Sequence, residues 1–167
     1  SASPRYRPSE KISDDRRAFS PPDYGMGTFG DLFTDRQLVA LNTFSDLTSE
    51  VREAILADAK AGGFTSDGVP LRNGGNGAEA YAEAISVYLA FGISKSADYW
   101  SSICTWRSDP KNLGVGHVFS RQALPIVWDF AEANPFSASS GNFLVSMDWI
   151  VRVIAALPSR GSGSVVQ

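Results

Sequence analysis

Arg36-Gln37 and Arg121-Gln122 each set a forked cation beside a carboxamide, and Arg107 directly follows Trp106. Guanidinium and amide donors next to aromatic rings suit phosphate and base contacts, and Trp100, Trp106 and Trp128 lie nearby in sequence. The same arginines suit helix capping and ion pairs with Asp31, Asp98, Asp129 and Glu132, so both roles stay open. Asn134-Pro-Phe136 is a second candidate. Enzymes that methylate exocyclic amino groups use Asp/Asn-Pro-Pro-Tyr/Phe, whose side chain and backbone carbonyl accept the amino hydrogens while the ring stacks on an extruded base. Here one proline is missing, and a helix terminator is the competing reading.

Two glycine clusters invite a phosphate. Gly25-Met-Gly-Thr-Phe-Gly30 fits G-x-G-x-x-G, but that fingerprint needs an apolar strand before it, and Ser20-Pro-Pro-Asp-Tyr24 stands there instead. A turn that lets the backbone pass close to the domain fits better. Gly74-Gly-Asn-Gly77 precedes a helical pattern whose free amide donors and dipole favour an anion, although only Arg72 is near, and a flexible loop ending in a cap competes. His117 is the sole histidine and Cys104 the sole thiol, too few for the usual three- or four-ligand metal set. Cys104 sits beside the Ile103/Trp106 stripe and reads as packed rather than reactive. Asp98, Asp129 and Glu132 could do acid/base work if they converged.

Positioning these groups falls to helices. Thr34-Asp-Arg-Gln37 is a capping box, and Leu38, Leu41, Phe44, Val51 and Ile55 then recur near helical spacing until Ala59–Gly62, with Thr48-Ser49 a possible division. Tyr81, Ile85, Tyr88, Leu89, Tyr99, Ile103 and Trp106 predict one long central helix over 78–106, interrupted only by Gly92, with Tyr81, Ile85, Leu89 and Ile103 buried. Ser120 predicts a further helix kinked at Pro125, and Asn142 one that buries Phe143, Trp149, Ile150, Val153 and Ile154 before Pro158. Glycine- and proline-rich loops fill 62–77 and 107–118. The expected class is all-α, an irregular helical domain over 24–160, with 1–23 an extended arm or linker and 161–167 a flexible tail.

The composition sets bounds. With 167 residues, 43% hydrophobic and 20% charged, the chain can bury a real core. A net charge of −3 gives no bulk attraction to nucleic acid, so such contact would need a local arginine cluster. One cysteine fits a reducing cytoplasm, and no apolar run approaches the roughly 20 residues of a bilayer span. The chain starts at Ser1 without a leader pattern and reads as cut from a longer protein or processed.

Tyr24–Leu41, Ala80–Ala90, Asp98–Trp106, Phe119–Phe136 and Ser140–Phe143, taken together and in order, resemble a middle segment of the large bacterial and archaeal adenine-specific DNA methylases described as containing a zinc ribbon. The resemblance spans about 24–167. It implies dependence on S-adenosylmethionine in the parent protein, with the glycine-rich cofactor motif upstream of this segment and the Asp-Pro-Pro-Tyr motif downstream. Neither motif, nor a cysteine-rich ribbon, occurs in this chain. The resemblance therefore implies a helical segment that carries no catalytic, cofactor or metal residues of its own and contributes to DNA binding or to assembly with the remaining methyltransferase domains. Arg36, Gln37, Arg121, Gln122, Trp128 and Asn134 are the expected functional face, with Arg36 leaning to DNA and Arg121 to an ion pair with Asp129 or Glu132. A free-standing helical protein-interaction module is the alternative.

Overall fold

The computed structural model describes residues 3–157. The architecture is mostly helical, with α1 at Asp35–Ala61, α2 at Ala78–Ala97 and α3 at Phe143–Ala156, and a two-residue hairpin of β1 (Trp106–Arg107) against β2 (Gly114–Val115). Pro158 and the tail at 161–167 lie outside the described residues.

α1 starts where its capping box dictates. The Thr34 amide donates to Gln37 Oε1 at 2.8 Å, and the Gln37 amide returns a weaker bond to Thr34 Oγ1 at 3.4 Å. The helix runs through Thr48 without a break, and the Thr48 hydroxyl bonds back to the Phe44 carbonyl. α1 packs along α2, and α3 packs on α2 and, through Phe143, on Phe44 of α1.

The 78–106 helix is shorter than its stripe predicts. Tyr81 through Leu89 and Tyr99 through Trp106 keep the same phase, but small residues, Gly92 and Ser96, occupy that face between them. A β-carbon on Gly92 would lie 2.1 Å from Met147 Sδ, so the glycine admits α3. After Ala97 the chain turns: the amides of Tyr99 and Trp100 both donate to Ser96 O, and the Trp100 indole donates to Gly141 O at 2.6 Å. Tyr81 is 42% exposed and lies against Phe64, not in the core.

The core sits at this turn rather than along a helix. Ile12, Leu32, Trp100, Ile103, Cys104, Val115, Val118, Leu124 and Ala133 form it, with Phe19, Phe44 and Phe143 packed around. One carbonyl, Leu32 O, accepts from Ser102 N, Ser101 Oγ and Ser102 Oγ, each at 2.8 Å, and so ties the turn to the segment before α1.

The helix expected from Ser120 does not form. Its backbone partners come from elsewhere: Leu124 N donates to Ala18 O, Ile126 N to Ser20 Oγ and Ala131 N to Cys104 O. Pro125 has no amide to give a helix. The segment 3–23, expected as an extended arm or linker, packs on the rest of the chain. It buries Ile12, pairs Lys11 with Thr28 and Phe19 with Leu124, and forms ion pairs Arg5–Asp46 and Arg7–Asp35. Gly30 explains the glycine motif, since a β-carbon there would lie 2.3 Å from Pro8 O. No strand precedes that motif; a 3-10 turn at Pro21–Tyr24 does.

Candidate functional site

The hairpin β1–β2 folds the chain back so that His117 meets the end of α2. Asp98 there is fixed by two backbone donors, Val118 N at 2.9 Å and Phe119 N at 2.6 Å, both on Oδ1. Its other oxygen lies 2.6 Å from His117 Nδ1, and His117 Nε2 lies 2.9 Å from the Tyr99 hydroxyl. With Nδ1–H donating to the carboxylate, Nε2 accepts a hydrogen bond from the Tyr99 hydroxyl. Burial first, then the charge of Asp98, push the Tyr99 phenol above its ordinary range. Both ring nitrogens are thus engaged, and His117 acts as a strut.

Beside this strut opens a cleft of about 520 Å³, lined by Thr105, Arg107, His117, Ser120, Arg121 and Pro125 among others. A second hollow shares Arg121, Ala123 and Pro125 with it and adds Arg16 and Arg17 from the arm. Arg16 reaches Asp23 at 3.2 Å and Arg17 reaches Asp15 at 3.5 Å, both as exposed pairs. Neither Arg107 nor Arg121 has an ion-pair partner among the described residues. Four guanidiniums from three remote stretches therefore border two hollows that share Arg121, Ala123 and Pro125. Forked donors with flanking hydroxyls suit an anion such as phosphate.

The expected face is split. Arg36, Gln37 and Asn134 do come together, in a different cavity of about 410 Å³. Arg36 leans away from the DNA role given to it above: its Nε donates to Glu132 Oε1 at 2.6 Å and its Nη2 to Oε2, a two-point fork. That fork pushes the Arg36 guanidinium above its ordinary range. Arg121 reverses as well, because neither Asp129 nor Glu132 reaches it. Gln122 is exposed, and Trp128 is 87% exposed, with its edge on Tyr24 at 5.7 Å. Asn134 makes a local turn through Phe136 N, 2.9 Å from its Oδ1, so the Asn-Pro-Phe segment ends no helix.

Other candidates resolve in the same way. Asp98 binds His117 and Glu132 binds Arg36, so the three carboxylates do not converge. No group of three His, Cys, Asp or Glu suited to a metal occurs among the described residues. Cys104 is buried, its thiol pushed up to about 11 by desolvation, with Sγ 3.8 Å from Asp98 O. The start of α2 is filled by its own loop: Ala78 N donates to Thr65 O at 2.8 Å, and Glu79 stands in the first turn. A phosphate there would meet an acid.

The Asp98–His117–Tyr99 group and the arm arginines were not visible from spacing. The one available signal was the Asp109–Gly114 turn between Trp106 and Val115, which marks a short hairpin able to carry His117 back. Among the described residues no helix is long and apolar enough to cross a membrane. No family model, curated protein or solved structure matches this chain.

Proposed function

We propose that the chain is a helical domain of an adenine-specific, S-adenosylmethionine-dependent DNA methyltransferase, and that it contributes to DNA substrate binding by holding backbone phosphates in the Arg107–Arg121 groove. The observation that carries this reading is the pair of unpartnered guanidiniums in a cleft that Arg16 and Arg17 extend. Local clustering answers the charge argument: a chain of net charge −3 attracts DNA only where its cations gather. Such contacts fix register without reading bases. In this reading S-adenosylmethionine is bound by the parent protein, and the Gly25–Gly30 segment serves to let the arm pass at Gly30. The domain is expected to act in the cytoplasm with its parent. Fluorescence anisotropy against a short duplex over a salt series tests the reading. Affinity that falls steeply with salt supports it, and undetectable binding at low salt refutes it.

A second reading, assembly with a protein partner, is favoured by α3. Leu144, Trp149, Val151 and Val153 of the apolar helix α3, and Leu157 just after it, are each more than half exposed. The chain exposes 11275 Å² at 18.0 kDa, where a folded monomer of that mass exposes roughly 8,000 Å². Both roles can coexist, since α3 lines neither arginine cleft.

A further inference from the structure

The side chains of α3 fall into two sectors. Phe143, Ser146, Met147 and Ile150 are buried or half-buried, with Phe143 on Phe44 and Met147 against Gly92. With about 3.6 residues per turn, the opposite sector is the row Leu144, Asp148, Arg152 and Ala156, flanked by Val145 and Ala155. All six of these are exposed, Leu144 by 78%. Within the row Arg152 Nη2 lies 2.7 Å from Asp148 Oδ2, so its two charges cancel.

The row is built symmetrically about Ile150. Asp148 stands two places before it and Arg152 two after, while Val145 and Leu144 stand five and six before and Ala155 and Ala156 five and six after. A second α3 laid antiparallel on the first, with the two Ile150 positions level, therefore sets each Asp148 opposite the other copy's Arg152. The same register sets each Leu144-Val145 pair opposite Ala155-Ala156. Large side chains then meet small ones, which lets the axes approach, and every carboxylate meets a guanidinium. A parallel pairing would put Asp148 on Asp148 and Arg152 on Arg152. A charged partner gains nothing from a row whose charges cancel, and an apolar one would desolvate Asp148 and Arg152 without new partners. The surface that complements this row is the row itself, reversed, as a two-fold contact requires.

We propose that α3 is the contact of a symmetric dimer of this chain, formed by two antiparallel copies of the helix about a two-fold axis at Ile150. The inference rests on the reading of α3 as an assembly surface and narrows the partner to a second copy. At about 1.5 Å per residue the helix is on the order of 21 Å long and about 10 Å wide, so one helix pair covers less than the roughly 800 Å² per partner of a standard interface. The dimer is therefore weak, with Kd on the order of 100 µM.

Sedimentation equilibrium of the full chain from about 10 µM to about 1 mM tests this, and a monomer–dimer equilibrium is expected for the native protein. Asp148→Arg or Arg152→Asp alone puts like charges at both crossing points and should weaken dimerisation by about tenfold or more. The melting temperature in dilute solution should stay near native, because both side chains are exposed. Mixed in equal amounts, the two variants should pair with each other, and the exchange variant Asp148→Arg/Arg152→Asp should dimerise alone. A native chain that stays monomeric at about 1 mM would overturn the self-pairing and leave assembly with a different protein standing. Dimers that persist unchanged in both charge variants and in Leu144→Glu would overturn the self-pairing and take assembly off α3 as well. Loss of the dimer in the single variants without recovery on mixing would reject the antiparallel register and the proposal with it.

Discussion

Arg36 and Arg121 each precede a glutamine and each have aromatic neighbours, yet Arg36 is closed in a fork on Glu132 while Arg121 borders a cleft with no carboxylate partner among the described residues. The difference lies in the chain around them. Glu132 is brought opposite α1 because Ala131 N is bonded to Cys104 O and Ala133 is packed in the core. Arg121 sits in a segment whose backbone is held by Ala18 and Ser20, which bring Arg16 and Arg17 to the same side instead of an acid. An arginine's role is thus set by which remote segment its neighbours' backbone bonds recruit.

The largest expected effect comes from breaking the closed side. Trp100→Ala removes a core ring that is 1% exposed and frees Gly141 O, so chemical denaturation should show a loss of about 3–5 kcal/mol. A loss under roughly 1 kcal/mol would mean that the core does not centre on this turn. On the open side, the double variant Arg107→Ala/Arg121→Ala should leave the denaturation midpoint unchanged. A marked drop there would erase the contrast between the two regions.

A smaller effect tests closure at the far end of α2. The hydrogen bond from Ser66 first, then its own backbone amide and Lys60, hold the Glu79 carboxyl at about 2, below its ordinary 4.5. A carboxyl lowered on folding contributes stability above its unfolded value and loses it as pH falls. The contribution should be complete above pH 4.5 and fade toward pH 2. Glu79→Gln should flatten that acid limb of the stability curve. An unchanged limb would show that the Ser66 and Lys60 contacts carry nothing.

The smallest effect is chemical. Cys104, buried and pushed up to about 11, should resist a thiol reagent at neutral pH in the native state and react only on unfolding. Rapid labelling of native protein would place the thiol outside the core.

Local signals were legible in the sequence. The Thr34 box and the Asn142 cap, whose Oδ1 accepts from Val145 N at 2.7 Å, involve residues three apart, so spacing alone exposes them. The end of α2 was hidden, because Gly92 and Ser96 keep the stripe in phase while making room for Met147. The helix expected after Ser120 failed because its donors found acceptors in the arm, more than a hundred residues away for Ile126 and Ser20. The Arg36–Glu132 fork joins residues 96 apart, and Asp98 meets His117 across a hairpin 19 residues on, so neither contact shows in local spacing. The exposed flank of α3 was misjudged as core because an apolar period reveals which face seeks cover, not whether the chain covers it.

The central claim is that the unpartnered arginines hold phosphate. Duplex affinity measured against salt for the native chain, Arg107→Ala/Arg121→Ala and Arg36→Ala tests it most directly. The slope of log affinity against log salt should shrink by about two units in the double variant, one per lost phosphate contact. Arg36→Ala should lower the melting temperature and keep the native slope. A native slope in the double variant, or a reduced slope in Arg36→Ala alone, would contradict the account.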